Sequence, residues 1–347
     1  MKTNSLSLRV CESSAAGEAR RIAIGWAETL GFSAIKAGEV GIIVTELANN
    51  LWRHAGRGQV VLRALTHPGK TPAAPPIRGL EILSLDNGPG MADLERCSKD
   101  GYSTGGSTGI GLGAVARLSS YSEVYSRHKE GTVSLSQVWA NPLPKTFFPS
   151  PMLGAVCVPV KEERVSGDSW AQRFNQTSQQ ILLVDGLGHG IRAAEAANEA
   201  VQIFLQRDLT ATEMMNALHV ALKSTVGAVV GLVEITLPGR VFSFTGVGNL
   251  EGKVINGNEK RSLLSHNGTV GHAMRTVRQW AYTWSQNSLL ILHSDGISNK
   301  WDLENYPGLS SRHPSIIAGV IYRDFRRERD DASIIVMREP ADRFVRE

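Results

Sequence analysis

Two groups of polar residues in this 347-residue chain have the types and spacing to handle phosphate. In Thr45–His54, TELANNLWRH, the residues Glu46, Asn50 and His54 recur every four positions. Ile43, Leu47 and Leu51 recur at the same spacing and supply an apolar stripe. The pattern predicts a helix over Ala34–His54, with Glu46, Asn50 and His54 together at the edge of its buried face. A carboxylate beside an amide there can accept a proton and hold a hydrated Mg²⁺, which keeps several waters and needs few protein oxygens. For His54 a capping or core role near the helix end is the stronger expectation.

Further on, a strand predicted over Glu81–Leu85 runs into Asp86-Asn87-Gly88-Pro89-Gly90. An aspartate at a strand end can accept a hydrogen bond from a ligand amino group, and the glycines let backbone pass close to a flat ring. The same run is also ordinary turn chemistry. Gly101–Gly113 then holds six glycines and leads into an apolar helix from Leu112. Glycine-rich backbone feeding a helix N-terminus is an anion site, because unpaired N–H groups and the helix dipole favour phosphate. Two other motifs in this loop fail on context. Gly109–Ala114 matches the dinucleotide fingerprint G-x-G-x-x-A, and Gly101–Gly105 matches the nucleophile elbow G-x-S-x-G. Both require a strand immediately before them, and neither has one.

The second group consists of aspartates at the ends of apolar runs. Asp185 follows Ile181–Val184 and precedes Gly186-Leu187-Gly188-His189-Gly190; Asp295 follows Leu289–Ser294; Asp330 and Asp331 precede Ala332–Val336; Asp168 sits in Val165-Ser166-Gly167-Asp168. A carboxylate at a strand end is held rigidly at the sheet rim. Several rims converging would make an oxygen-rich negative cavity, and divalent metal relieves the repulsion. Two metals about 3.5–4 Å apart serve in-line attack on phosphate. Oxygen-only donors favour Mg²⁺ or Mn²⁺ over zinc.

These residues need a scaffold, and the chain is long enough for two domains at roughly 100–200 residues each. Asn141–Pro151, NPLPKTFFPSP, carries four prolines and reads as a linker between residues 1–140 and 152–340. His67–Pro76 reads instead as an excursion between two strands of the first half. Each half mixes strands and helices, so the fold class expected is α+β, or α/β sandwich, in both. The composition, 42% hydrophobic and 20% charged, excludes wholesale disorder, and a net charge of +4 without a clustered basic face argues against nucleic acid. Cys11, Cys97 and Cys157 form neither a disulfide framework nor a metal set. No apolar run approaches the ~20 residues of a membrane span. A cytoplasmic protein with no membrane partner is expected.

ELANNLWRHAGRGQV, LDNGPGM and GYSTGGSTGIGLGAV together resemble the GHKL (Bergerat) ATP-binding fold, and within it the RsbT-type serine/threonine kinases of partner-switching systems. The resemblance covers about residues 5–138. It implies Glu46 as general base, Asn50 as Mg²⁺ ligand and Asp86 as partner of the adenine amino group. Gly88 and Gly90 would line the base pocket, and Gly109, Gly111 and Gly113 would wrap the phosphates of ATP. The phosphohistidine segment of histidine kinases is missing. After the linker, SGD, VDGLGHG, HSDGI and DDASIIV resemble the SpoIIE/RsbX-type branch of the PP2C phosphatases, an αββα sandwich, over about residues 152–338. This implies two Mn²⁺ or Mg²⁺ ions held by Asp168, Asp185, the Gly186 carbonyl, Asp295 and Asp330, with Asp331 the uncertain member of the acidic pair. The two resemblances imply a bifunctional switch enzyme, a kinase and a phosphoprotein phosphatase, acting on STAS-domain regulators and possessing a sigma-regulatory partner. The alternative is a phosphatase whose front half is a nucleotide-gated sensor or an anti-sigma-type binding module.

Overall fold

A computed structural model describes residues 5–67, 75–93, 111–143, 152–161, 163–174, 178–236, 241–275 and 277–339. They fall into two compact units, one drawn from Ser5–Phe147 with Leu303–Arg323 and the other from Phe148–Asp302 with Asp324–Glu347. Both are mixed α/β, as expected from the alternation of strand and helix patterns. Among the described residues no helix is long and apolar enough to cross a membrane.

The first unit is built on a five-stranded antiparallel sheet. Its strands are β1 (Leu6–Val10), β2 (Gly58–His67), β3 (Ile77–Asp86), β4 (Tyr121–Arg127) and β5 (Gly131–Trp139), in the order β1-β2-β3-β5-β4. His67 pairs with Ile77, so β2 and β3 are antiparallel neighbours; residues 68–74 of the proline-rich run between them lie outside the described residues. On one face lie α1 (Ser14–Thr29) and α2 (Ala34–Asn50). Ala16, Ala19, Ala23 and Ala27 form the buried stripe of α1, and such small side chains let α2 approach closely. The Ser33 hydroxyl caps α2 by accepting from the Lys36 N–H at 3.3 Å. Ile43, Leu47 and Leu51 are buried as their spacing predicts.

The expected helix to His54 needs one correction. Regular α-helix ends at Asn50, and Leu51–Ala55 continue as a single π turn that closes on Gly56 in the left-handed region, φ 72°. The wider turn takes His54 off the four-residue stripe of Glu46 and Asn50, and its side chain is exposed. A short helix, α3 (Gly111–Leu118), completes this face.

The other face of the sheet receives a helix from much later in the chain. Its place is fixed by a buried ion pair, Arg63 Nη2 to Glu81 Oε1 at 2.8 Å. The second Glu81 oxygen accepts from Gln137 Nε2 and from Ser315 Oγ, each at 2.7 Å. Ser315 stands in the first turn of this helix, α6 (Pro314–Phe325). Consecutive domains meeting at residues 141–151 leave no room for this exchange: Leu303–Arg323, between Asp295 and Asp330 in sequence, belongs to the first unit. Its helix was not legible because Pro314–Tyr322 is buried on every side, which erases the polar–apolar period that marks a surface helix. Residues 144–151 of the proline-rich segment lie outside the described residues.

The second unit stacks two antiparallel five-stranded sheets. One has the order β13-β10-β9-β8-β7, from Trp280–Thr283, Val241–Val247, Ala228–Thr236, Ser178–Gly186 and Asp168–Phe174. The other has the order β12-β11-β14-β15-β6, from Glu259–Ser262, Glu251–Asn256, Leu289–His293, Ala332–Arg338 and Met152–Val158. Alternation along β8 shows how they pack. Ile181 and Leu183 point between the sheets with Trp170, Phe242, Phe244, Leu290 and Ile335. Leu182 and Val184 point outward beneath α4 (Ile191–Gln206) and α5 (Ala211–Ala221). Strands β12 and β13 escape the sequence pattern because each has only four residues, and β12 is exposed at every position.

Replacing Glu81 by Ala would leave the Arg63 guanidinium buried without its carboxylate. We expect a loss of roughly 3–5 kcal/mol, read as a lower denaturant midpoint, with Arg63→Leu/Glu81→Leu recovering most of it. A midpoint unchanged in Glu81→Ala would show that the pair does not seat this face.

Candidate functional site

Each unit carries one candidate site at the ends of its strands. In the first, α2 holds Glu46 and Asn50 half-buried beside the start of α3. A Cβ built on Gly111 would lie 2.8 Å from Glu46 Oε2 and 3.9 Å from Asn50 Oδ1. The structure thus brings the acid, the amide and the end of the glycine-rich loop together, although sixty residues of sequence separate them. Gly113 follows within the first turn of α3, and Gly109 lies outside the described residues.

Asp86 closes β3 on the same unit. Its Oδ1 accepts the Gly88 N–H at 2.8 Å, an Asx-type turn that folds the chain back beneath the carboxylate. Gly88 is pressed against Ala55, where a Cβ would meet the Ala55 Cβ at 2.6 Å. Gly90 has φ 62°, and a Cβ on it would come within 1.9 Å of the Arg127 carbonyl oxygen, so this position requires glycine twice over. Burial pushes the Asp86 carboxyl up; the Gly88 N–H, the Arg323 guanidinium, the Thr132 N–H and His54 oppose it. Arg323 also donates from Nη1 to the Asp86 carbonyl oxygen at 3.1 Å.

In the second unit, antiparallel pairing of β7 with β8 sets Asp168 directly opposite Asp185. Asp168 opens its strand, whereas Asp185 stands near the end of β8, next to Gly186. Asp168 is buried and its Oδ2 accepts from Ser294 Oγ at 2.7 Å. Asp295 follows Ser294, and its Oδ2 accepts from Asn249 Nδ2 at 2.9 Å. Asp330 accepts the Asp331 N–H at 2.9 Å and lies within hydrogen-bonding reach of Asp295.

Asp331 has a different task. Its two carboxylate oxygens accept the backbone N–H groups of Val160 and Gly167, both at 2.7 Å. Both oxygens therefore tie loops together, whereas Asp330 lies beside Asp295; the charges of both adjacent aspartates act on Asp168 and Asp185. His189, a loop residue with an exposed ring, pairs with Glu163 at 3.1 Å.

The carboxylates disturb one another. Burial raises Asp185 well above the ordinary carboxylate range, and the charges of Asp168, Asp295, Asp330 and Asp331 push it further. Asp168 rises chiefly through burial, against the hydroxyls of Ser294 and Ser333. Among the described residues, no group of three or more His, Cys, Asp or Glu side chains is already arranged to hold a metal ion. The donor set nevertheless fits divalent cations, being oxygen-only, mutually repelling and anchored on strand ends, with the Gly186 carbonyl adjacent. Gly186 is held tightly, since a Cβ there would lie 2.3 Å from the Ala193 carbonyl oxygen. Ser294, Asn249 and Arg323 escaped the sequence reading. Only Ser294, next to Asp295, offered a signal in the sequence.

Comparison with known proteins matches the two halves of the sequence to different families. Residues 12–136 match the histidine kinase-like ATPase domain family, and residues 175–339 match the Stage II sporulation protein E (SpoIIE) family. The first span contains Glu46, Asn50, Asp86 and the glycines named above; the second contains Asp185, Gly186, Asp295 and Asp330, while Asp168 precedes it. The serine/threonine-protein kinase RsbT of Bacillus subtilis (strain 168) is 33% identical over 121 residues, 35% of this chain and 86% of RsbT. A chain from a solved structure of the bacterial stressosome is similar in fold at 22% identity, covering 55% of this chain and 100% of that one with a TM-score of 0.50. A solved structure of RsbX in complex with magnesium aligns at 18% identity over 56% of this chain and 97% of that one, TM-score 0.46.

The raised carboxyls predict how stability depends on pH. Folded Asp185 keeps its proton above the ordinary value of 3.8, where the unfolded chain has released it, so cation-free protein loses stability as pH rises from there. In EDTA, Asp185→Asn should therefore have the higher melting temperature at pH 8, and the gain should shrink towards pH 4. Mn²⁺ should stabilise the wild type and not the variant. Equal melting temperatures at pH 8 would contradict the clash of charges.

Proposed function

This chain belongs over its N-terminal residues to the RsbT family of serine/threonine kinases, and from that membership and its SpoIIE-type second half we propose a bifunctional partner-switching enzyme. One activity transfers the γ-phosphate of ATP to a serine or threonine of a protein. The other removes phosphate from such residues. The observation that supports the reading most directly is that each unit gathers its own phosphate-handling groups: Glu46 and Asn50 against Gly111 in one, Asp168 opposite Asp185 in the other. We assign the kinase domain to residues 1–140, supplemented by Leu303–Arg323, the linker to 141–151 and the phosphatase domain to the remainder of 152–340.

In the kinase unit Glu46 takes the proton from the attacking hydroxyl, and Asn50 would offer Oδ1 to a nucleotide-bound Mg²⁺. Phosphoryl transfer asks mainly for positioning and electrostatic stabilisation, so one base and a well-placed nucleotide suffice. Asp86 accepts a hydrogen bond from the adenine amino group, with Gly88 and Gly90 against the ring. Gly111 and Gly113, at the start of α3, present backbone to the phosphates, and Gly109, two residues ahead in sequence, is assigned the same role.

In the phosphatase unit Asp168, Asp185, the Gly186 carbonyl, Asp295 and Asp330 hold two Mn²⁺ or Mg²⁺ ions. When bound, such a pair supplies an activated water and neutralises charge on the phosphate. The chain's own contribution is placement: Ser294 orients Asp168, and Asn249 orients Asp295. The substrates we assign are STAS-domain proteins of the anti-anti-sigma or stressosome kind, with a sigma-regulatory protein as a further partner and the cytoplasm as the compartment.

Labelled ATP and a panel of STAS proteins test the kinase half. Glu46→Gln should lower label transfer by about 10²–10⁴-fold while nucleotide binding persists, the scale of losing a general base. Undiminished transfer would remove Glu46 from this role. For the other half, Asp185→Asn or EDTA should abolish hydrolysis of a phosphorylated STAS protein; activity that survives EDTA would overturn the two-metal reading.

A further inference from the structure

Helix α6 brings three residues to β3 at a constant interval. Ser315, Gly319 and Arg323 are four apart and so share one helix face. Ser315 Oγ donates to Glu81 Oε2 at 2.7 Å. Gly319 lies flat on the sheet, where a Cβ would stand 3.0 Å from Val133 Cγ1 and 3.1 Å from Leu85 Cδ2. Arg323 Nη1 reaches the Asp86 carbonyl oxygen at 3.1 Å. Eight residues of helix rise about 12 Å, which lets one helix face follow β3 from Glu81 to its end. The stripe thus terminates at the residue assigned to the nucleotide base.

We propose that Arg323, carried by a segment within the SpoIIE-matched residues, is a positioning residue for the Asp86 carboxylate and thereby sets the affinity and base preference of the nucleotide site. The inference rests on the assignment of Asp86 to the adenine amino group. Its logic is electrostatic. Asp86 is desolvated at a strand end, and it must stay ionised to accept hydrogen bonds through both oxygens, one of which the Gly88 N–H already occupies. The groups facing it are the N–H donors of Gly88 and Thr132, His54 from the π turn, and Arg323 from α6. Of these only Arg323 carries a permanent charge, and the same guanidinium fixes the Asp86 backbone. Ser315 and Gly319 hold the helix in register, so the arginine arrives on a rigid element.

The test uses the full-length protein, with ATP, GTP and inorganic tripolyphosphate as probes in calorimetric titrations from pH 5 to 8. Arg323→Gln should weaken ATP by about tenfold at neutral pH, the scale of one hydrogen bond to a charged group. The loss should grow towards pH 5, because Asp86 without its cationic neighbour protonates at higher pH. The preference for ATP over GTP should fall, tripolyphosphate should be unaffected, and Arg323→Lys should recover part of the loss. ATP affinity within twofold of wild type across the range, or equal losses for ATP and tripolyphosphate, would overturn the proposal. Asp86→Asn separates the two levels: if it too leaves base preference intact, the assignment of Asp86 fails; if it abolishes the preference while Arg323→Gln does not alter it, only the role of Arg323 fails.

Discussion

A carboxylate desolvated at the end of a buried strand is the constraint common to both units. Asp86 meets it at the end of β3 and Asp185 near the end of β8, and in each case burial is the largest influence raising the carboxyl. Such a group stays charged only if something nearby favours the charge. In the first unit that help comes from the protein itself: two backbone N–H groups, an arginine and a histidine. In the second the neighbours are more carboxylates, which make the difficulty worse. A site that satisfies its acid internally is suited to reading a polar ligand edge. One that leaves several acids in mutual conflict is suited to divalent cations.

The remaining polar contacts sort themselves around that difference. Asp330 and Asp331 are adjacent, yet their carboxylates make different contacts. Asp331 spends both oxygens on the backbone of Val160 and Gly167, which fastens the chain after β6 and the loop before β7 to the start of β15. Asp330 lies beside Asp295. Glycine enforces the same close packing: Gly296 leaves no space for a Cβ, which would fall 1.8 Å from the Asp331 carbonyl oxygen. The acidic cluster therefore sits on a backbone frame whose loops are bound to one another through Asp331.

In the first unit a second buried charge decides the architecture. Glu81 satisfies Arg63, Gln137 and Ser315 at once, so the sheet face opposite α1 and α2 is polar at its centre and apolar around it. A surface of this kind accepts a helix only in the register that places a hydroxyl over the carboxylate. That requirement is met by Ser315, and the four-residue stripe that begins there ends at Arg323, against Asp86.

Much of this was legible in the sequence, because local patterns report local physics. The stripe of Ile43, Leu47 and Leu51 places Glu46 and Asn50 side by side; the Asp-Asn-Gly run marks a turn with a carboxylate at a strand end; the apolar runs before Asp185 and Asp295 mark strands that deliver acids to a rim. What the sequence could not express is which distant segments meet. The π turn that displaces His54 depends on packing around Leu51 and Gly58, where a Cβ would collide with the Leu51 side chain. The division of labour between Asp330 and Asp331 depends on two N–H groups more than 160 residues away. Helix α6 gave no periodic signal because it is buried all round, and its membership of the first unit follows from a hydroxyl and a guanidinium meeting partners 234 and 237 residues earlier. Residue type and spacing settled which chemistry each half offers, since those depend on neighbours along the chain. Which groups orient that chemistry was left to tertiary packing, because a hydrogen bond has no preference for partners close in sequence.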